Sequence, residues 1–305
     1  MNREFGLLKY LPGSNGKIGW PWDEEIDPGL YTNHECEKVS IVVPSYNQVQ
    51  FIEETIRSIL LQNYPNLEII LIDGGSTDGT ISIIKKYEKW IHYWVSEKDN
   101  GQSHALNKGF SKTTGKILGW LNSDDLYTKY SLFNAMNAFY KNPTKSVVFG
   151  DYLIIDKNSD LISYEYVFDF SLTQFIYEGF HLNAQSMFWK RGVHSNFGEF
   201  NENLHRTMDY DMILRFGINE GQSTFLRVDS IALGCFRRHE DQKTTGFDNI
   251  VLLEHKCISD INALKYKYLV KGKLIRFIYR FRRLFWYFKR GGLLFTIKKV
   301  FRLEV

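Results

Sequence analysis

Between Val39 and Phe139, short apolar runs alternate with segments whose apolar residues recur every three or four positions. The run Val39–Val43 is followed by Ile52, Ile56, Ile59 and Leu60, and the run Leu67–Ile72 by Ile81, Ile84 and Tyr87. Ile91–Val95 precedes a helical pattern over Ser103–Phe110, and Lys116–Leu121 precedes one through Leu132, Met136 and Phe139. Short, mostly apolar runs suit strands buried on both faces, and the slower recurrence marks one face of a helix. Their alternation predicts an α/β fold, a Rossmann-like mostly parallel sheet flanked by helices and joined by right-handed crossovers. Further on, Val147–Gly150 and the stretches around Ile154 and Ile162 flank the turn-forming Asn158-Ser159-Asp160, which predicts a hairpin or meander in a mixed second half.

Two segments lie outside this alternation. Residues 1–38 are rich in Gly, Pro and Trp and hold no sustained period, the composition of an irregular arm. Near the other end Leu274, Phe277, Ile278, Phe281, Leu284, Phe285 and Phe288 recur at helical spacing, flanked by Lys273, Arg276, Arg280 and Arg283. That is the pattern of a basic amphipathic helix. The expected organisation is an arm at 1–38, one α/β domain at 39–264 and a helical tail at 265–305. Within the domain, 39–125 has the layout of a nucleotide-binding sheet and 126–264 is mixed.

Charge follows the same division. From Lys265 onward thirteen Lys or Arg face one acidic residue, a balance of +12, which leaves −9 for the rest of a chain of net charge +3. Such a tail suits an anionic membrane surface, with packing on the acidic body as the alternative. No base-reading module accompanies it, so nucleic acid is not expected as a partner. The 305 residues, 44% hydrophobic, suffice for a sizeable core. Cys36, Cys235 and Cys257 are too widely spaced for a disulfide framework or a CxxC metal site. The first residues lack the apolar stretch of a secretory signal and no apolar run is long enough to span a bilayer. The expected location is cytoplasmic, peripheral on the inner face of the cell membrane.

Candidate chemistry gathers where the apolar runs end. Lys116–Leu121 leads into Asn122-Ser123-Asp124-Asp125. Adjacent carboxylates repel and lack strand propensity, so the pair suits a place where a hard divalent cation neutralises it; a solvated turn capping the next helix is the alternative. Pro44-Ser45-Tyr46-Asn47 follows the first run and offers an aromatic face and an amide. Asp73-Gly74-Gly75-Ser76 follows the second and offers close backbone approach beside a carboxylate, although a tight turn accounts for it as well. Asp99-Asn100-Gly101-Gln102 follows the third. In an open parallel sheet these ends share the edge where ligands bind.

Read together, VSIVVPSYN, IILIDGGSTDGT, SEKDNGQSHALNKGF and ILGWLNSDD resemble the family 2 glycosyltransferases, inverting nucleotide-sugar enzymes of the GT-A fold. The resemblance runs over residues 39–245. It implies that Pro44, Tyr46 and Asn47 pack on the nucleobase and that Asp73 and Asp99 help hold the nucleoside. It further implies that Asp124 faces the ribose while Asp125 ligates Mn²⁺ or Mg²⁺ bridging the diphosphate. Gly74 stands where many members carry a second Asp that touches the base, and His104 where relatives often carry Asp. The departure at Gly74 counts against UDP; a UDP-sugar is still the first expectation for the donor, with GDP or dTDP as alternatives. His181–Trp189, Phe197–Glu202 and Met208-Asp209-Tyr210-Asp211 resemble the acceptor half, 126–264. There the family's base is the Asp of a Glu-Asp pair at a helix start, which implies Asp209, with Met208 in place of the Glu and Asp211 as runner-up. Arg237-Arg238-His239 to Lys243-Thr244 resembles the loop over the diphosphate, so His239 is implied in the metal shell.

These implications amount to an inverting, metal-dependent transfer of a sugar to a glycan or lipid-linked acceptor hydroxyl in surface polysaccharide synthesis. The Gln-x-x-Arg-Trp signature of processive synthases is absent, which favours one sugar per encounter. Met208 and Gly74 leave open a catalytically inactive sugar-nucleotide-binding scaffold. A nucleotidyltransferase fits less well, because its Gly-rich phosphate loop with Arg and Lys after the first strand is missing.

Overall fold

The alternation in the first half becomes four parallel strands. In the computed structural model β1 (Val39–Ser45), β2 (Leu67–Asp73), β3 (Tyr93–Ser96) and β4 (Ile117–Trp120) lie in the order β3-β2-β1-β4. The helices α1 (Ile52–Leu60), α2 (Thr80–Tyr87) and α3 (Gln102–Lys112) connect them. β1 is buried along its length because both faces are covered: Val39, Ile41 and Val43 join a core with α1 and α2, and Val42 joins a second core with α3. α3 lies so close that a Cβ on Gly109 would stand 2.4 Å from Cγ1 of Val42, an approach that only glycine permits. The structure describes residues 6–32, 35–178, 182–240, 242, 253, 254, 256, 258 and 272–301. His181, the Lys243-Thr244 part of the late loop, Cys257 and the expected start of the tail at 265 lie outside the described residues.

Past β4 the sheet becomes mixed, as expected. β5 (Leu126–Tyr127), β6 (Val147–Ile155), β7 (Leu161–Glu165), β8 (Met187–Lys190) and β9 (Phe225–Arg237) extend it in the order β4-β8-β6-β9-β5. β6 and β7 form the predicted hairpin, and β7 takes over from β8 along one side of β6. α4 (Ser131–Lys141), α5 (Leu172–Glu178), α6 (Arg191–Phe197) and α7 (Met208–Asn219) pack around this half. Short as it is, β5 joins the two halves of the sheet: antiparallel pairing of Leu126 with Cys235 brings the turn after β4 against the end of β9.

The N-terminal arm is part of the body. Leu7, Leu11, Ile26 and Tyr31 enter the first core. Arg57, buried on α1, donates to the carbonyls of Pro12, Pro21 and Trp22 at 2.8, 2.9 and 2.7 Å. The arm thus roofs the outer side of α1, which explains why that helix is buried nearly all round.

The tail forms α8 (Gly272–Phe301), broken at Gly292, where φ is 76°. It docks on the body through aromatic and basic side chains. The Trp286 and Tyr287 rings lie 5.7 and 5.6 Å from that of Phe168, and Arg290 reaches Asp151 and Asp229 at 2.8 and 2.9 Å. The stripe read from the sequence faces away, with Phe277, Ile278, Phe281, Leu284, Phe285 and Phe288 exposed. No helix among the described residues is long and apolar enough to cross a membrane.

Candidate active site

The carboxyl ends of the parallel strands open into a cleft of about 990 Å³ that continues beneath α7. That volume is of the size that encloses a cofactor-sized ligand. Among the described residues three carboxylates line it: Asp99 after β3, Asp124 after β4 and Asp209 in the first turn of α7.

The Asp124-Asp125 turn is built from several directions. Asn122 Oδ1 accepts from Trp120 Nε1 at 2.7 Å and from Gln102 Nε2 at 2.8 Å, which aims its amide at Asp125. Asp125 then accepts from Asn122 Nδ2 at 3.0 Å, from the backbone N–H of Arg237 at 2.8 Å and from Gln185 Nε2. It is 1% exposed. Burial and the neighbouring Asp124 charge push its pKa well up, against which the three donors favour the ionised form. Asp124 instead faces the cleft, and its Oδ2 lies 3.0 Å from Nε2 of His239, whose ring packs on Phe51 at 4.7 Å.

The structure sets the two carboxylates apart. Asp125, expected on a metal, is sealed into the wall, and Asp124, expected on the ribose, makes the carboxylate–imidazole pair. The physical reason is β5: its pairing with β9 begins one residue after Asp125 and holds that side chain against Arg237.

Arg237 supports the same turn from behind. Its buried guanidinium donates to the carbonyl of Asp124 at 2.7 Å, to Glu54 on α1 at 2.7 Å and to Ser159 Oγ at 2.9 Å. Thr55 Oγ1 lies 2.9 and 2.8 Å from the carbonyls of Ser123 and Asp125. Of the basic triplet expected over the diphosphate, Arg237 braces the turn, Arg238 lines the cleft and His239 meets Asp124.

At the donor end, Pro44, Tyr46 and Asp99 line the cleft, and Tyr46 is 62% exposed. Asp73 and Asn47 are not in the lining of the cleft. Asp73 is fully buried and accepts from the backbone of Gly75 and Ser76 at 3.1 and 2.9 Å and from the hydroxyls of Ser76 and Ser96 at 2.5 and 2.6 Å. Asn47 accepts from the Thr77 N–H at 3.0 Å. Both therefore brace the loop after β2. A Cβ on Gly74 would stand 2.9 Å from Asp99 Oδ2 and 3.3 Å from Tyr46 Cδ2, so Asp99 occupies the space that a side chain at 74 would need.

On the acceptor side the structure separates the two candidate bases. Asp211 is held by Arg215 one turn along α7, with 2.9 Å to Nε, whereas Asp209 lines the cleft. The start of α7 is fixed from outside: Glu254 accepts from the N–H groups of His205 and Arg206 at 2.9 and 3.2 Å and from Thr207 Oγ1 at 3.0 Å. Burial pushes the Glu254 pKa up, but these donors outweigh it and the net shift is downward. Met208, in place of a glutamate, is buried with its sulfur 2.8 Å from Ser103 Oγ. Gln185, Arg206 and Tyr152 also line the cleft. The sequence gives Arg206 and Tyr152 no mark, because an isolated polar side chain in a loop or strand carries neither period nor spacing, and Gln185 stands in the segment His181–Trp189 without a role of its own.

Among the described residues no three His, Cys, Asp or Glu side chains converge on a metal position. Asp124 and His239 supply two. A carboxylate and an imidazole 3.0 Å apart suit Mn²⁺ or Mg²⁺ when substrate phosphates and water complete the shell, so the donor set fits.

The model described as glycosyl transferase family 2 matches residues 40–197. An uncharacterized glycosyltransferase of Rickettsia typhi is 33% identical over 205 residues, 63% of this chain and 60% of that protein. The chondroitin synthase of Escherichia coli is 26% identical over 244 residues, 75% of this chain and 34% of that protein. The chain thus spans less than two thirds of the length of these relatives. Among solved structures, S. aureus TarS 1-349 in complex with UDP-GlcNAc superimposes with a TM-score of 0.57 at 20% identity, covering 69% of this chain and 62% of that one. A mannosyltransferase from Pyrobaculum calidifontis in complex with GDP-Man and Mn²⁺ gives 0.53 at 16% identity and covers 97% and 92%. At these identities the likeness is one of fold.

Proposed function

The chain belongs to glycosyl transferase family 2 and has its GT-A fold, and from that premise we propose that it transfers one sugar per encounter from a nucleoside-diphosphate donor to an acceptor hydroxyl, with inversion. The observation that carries this reading is the convergence of Asp124, paired with His239, and Asp209 on one cleft from opposite halves of the sheet.

The base of the donor stacks on Tyr46 beside Pro44, and Asp99, in the space beside Gly74, takes the polar contact to the nucleoside. Asp124 and His239 would hold Mn²⁺ or Mg²⁺, which would supply charge that stabilises the departing diphosphate. Arg238 adds a cation to the same part of the cleft. Asp125 and Arg237 fix the direction in which Asp124 points. Asp209 accepts the proton of the acceptor hydroxyl, a step that contributes about 10² to 10⁴ in rate. Attack from the side opposite the diphosphate inverts the anomeric centre, so an α-linked donor gives a β-linked product.

A UDP-sugar remains the first choice of donor and GDP-Man the second, in keeping with the ligands of the two structural relatives. The acceptor proposed is a glycan or lipid-linked glycan in polysaccharide synthesis, at the inner face of the cell membrane. A thermal-shift screen of nucleotide sugars with and without Mn²⁺ tests the donor class. One nucleotide should raise the melting temperature only with the metal; no shift with any of them sinks the reading.

A further inference from the structure

The tail helix has two opposed faces with different tasks. Tyr279, Trp286, Arg290 and, past the break, Phe295 and Lys299 engage Ser171, Phe168, Asp151, Tyr166 and Glu165 of the body. At about 100° per residue, Phe277, Ile278, Phe281, Leu284, Phe285 and Phe288 occupy an arc about 120° wide on the diametrically opposite side. Phe277, Phe281 and Phe285 are 66–68% exposed, far more than lone surface aromatics need to be. After the bend at Gly292 the exposed apolar line continues with Leu293, Leu294 and Ile297. Exposed Arg280 borders the arc on one side, and exposed Arg282 and Lys289 border it on the other. The helix carries no acidic residue at all.

We propose that this face is a membrane-binding surface that lays the enzyme on an anionic lipid bilayer. An apolar arc with cations along both edges matches the boundary between acyl chains and anionic headgroups. A second copy of the same face would bring the same cations together, which disfavours self-association through it. The docked side ties the helix to the body: Arg290 bonds Asp151 on β6, one residue from Tyr152, which lines the cleft. The anchor is therefore tied to the strand that carries Tyr152 into the cleft. For the acceptor the inference rests on the transferase reading and names a lipid-linked one; the surface itself does not depend on it.

The test is flotation of the full chain with vesicles of phosphatidylcholine alone and of phosphatidylcholine with phosphatidylglycerol. Two variants accompany it, Phe281→Ser with Phe285→Ser and Arg280→Glu with Lys289→Glu. All four positions are exposed, so melting temperature and donor hydrolysis should stay at the wild-type value. The chain should float with the anionic vesicles, come off in high salt, and lose about tenfold or more of its partitioning in each variant. Equal flotation of wild type and variants, or none with anionic vesicles, overturns the proposal. So does a wild-type dimer in light scattering that the phenylalanine variant converts to monomer, which would make a second copy the occupant. If flotation behaves as expected but no nucleotide sugar is hydrolysed, the transferase reading fails while the membrane surface stands.

Discussion

Replacing each half of the Asp124-Asp125 pair in turn should produce opposite defects. Asp125→Ala removes the acceptor of three donors, the Asn122 amide, the Gln185 amide and the Arg237 N–H, in a place that is 1% exposed. A buried donor left unpaired costs about 1–3 kcal/mol, and release from burying a carboxylate beside Asp124 offsets part of the sum. The net loss is about 2–4 kcal/mol, equivalent to about 4–12 °C in melting temperature for a chain of this size. Asp124→Asn removes a cleft-facing oxygen paired with one imidazole, and its melting temperature should move by about 2 °C or less. Donor binding should divide the other way: Asp124→Asn loses the Mn²⁺-dependent part, and Asp125→Ala keeps it well below its melting temperature. Differential scanning calorimetry and titration calorimetry with a nucleoside diphosphate, with and without Mn²⁺, measure both. Wild-type stability in Asp125→Ala together with loss of its metal-dependent binding would refute the assignment.

Asp209→Asn should bind donor as the wild type does and lose about 10² to 10⁴ in transfer rate, whereas Asp211→Asn should mainly lower stability through its bond to Arg215. Gly74→Asp should displace Asp99 and weaken donor binding about tenfold by titration calorimetry, and adding Asp99→Gly should recover part of it. Arg237→Met strands buried Glu54 and should cost about 3–5 kcal/mol in chemical denaturation. Burial, and then the Arg191 and Arg215 charges, lower the pKa of His194 to about 4. The unfolded chain takes up this proton near about 6.5 and the folded one resists it, so stability is full above that pH and falls as pH drops toward 4. His194→Phe should flatten that part of the stability curve.

The sheet was legible because its evidence in sequence is periodic. Strands such as Val39–Val43 read as mostly apolar runs since helices cover both faces, and the turn at Asn158-Ser159-Asp160 announces the hairpin of β6 and β7. The family is legible for the same reason that its strand tips are: Asp73, Asp99 and Asp124 each follow a recognisable run. What the pattern does not contain is the direction in which a turn residue points. Asp124 and Asp125 are chemically alike and adjacent, and only the pairing of Leu126 with Cys235, over a hundred positions away, turns one inward. Asp73 and Asn47 sit at ligand-type tips yet spend their polar atoms on the loop itself. The arm over α1 is aperiodic, and its contribution comes through one buried arginine, Arg57, that amphipathicity would have placed in solvent. The apolar stripe of the tail is plain in its spacing, but the aromatic and basic face that docks it on Phe168 and Asp151 appears only in three dimensions.

Inverting sugar transfer with Asp209 as base fixes which anomer leaves the enzyme. Proton NMR follows the sugar that the full chain releases from an α-linked nucleotide sugar in the presence of Mn²⁺. The β anomer should appear first, before mutarotation, and its release should vanish in Asp209→Asn. Release of the α anomer, or no release from any nucleotide sugar, would contradict the account.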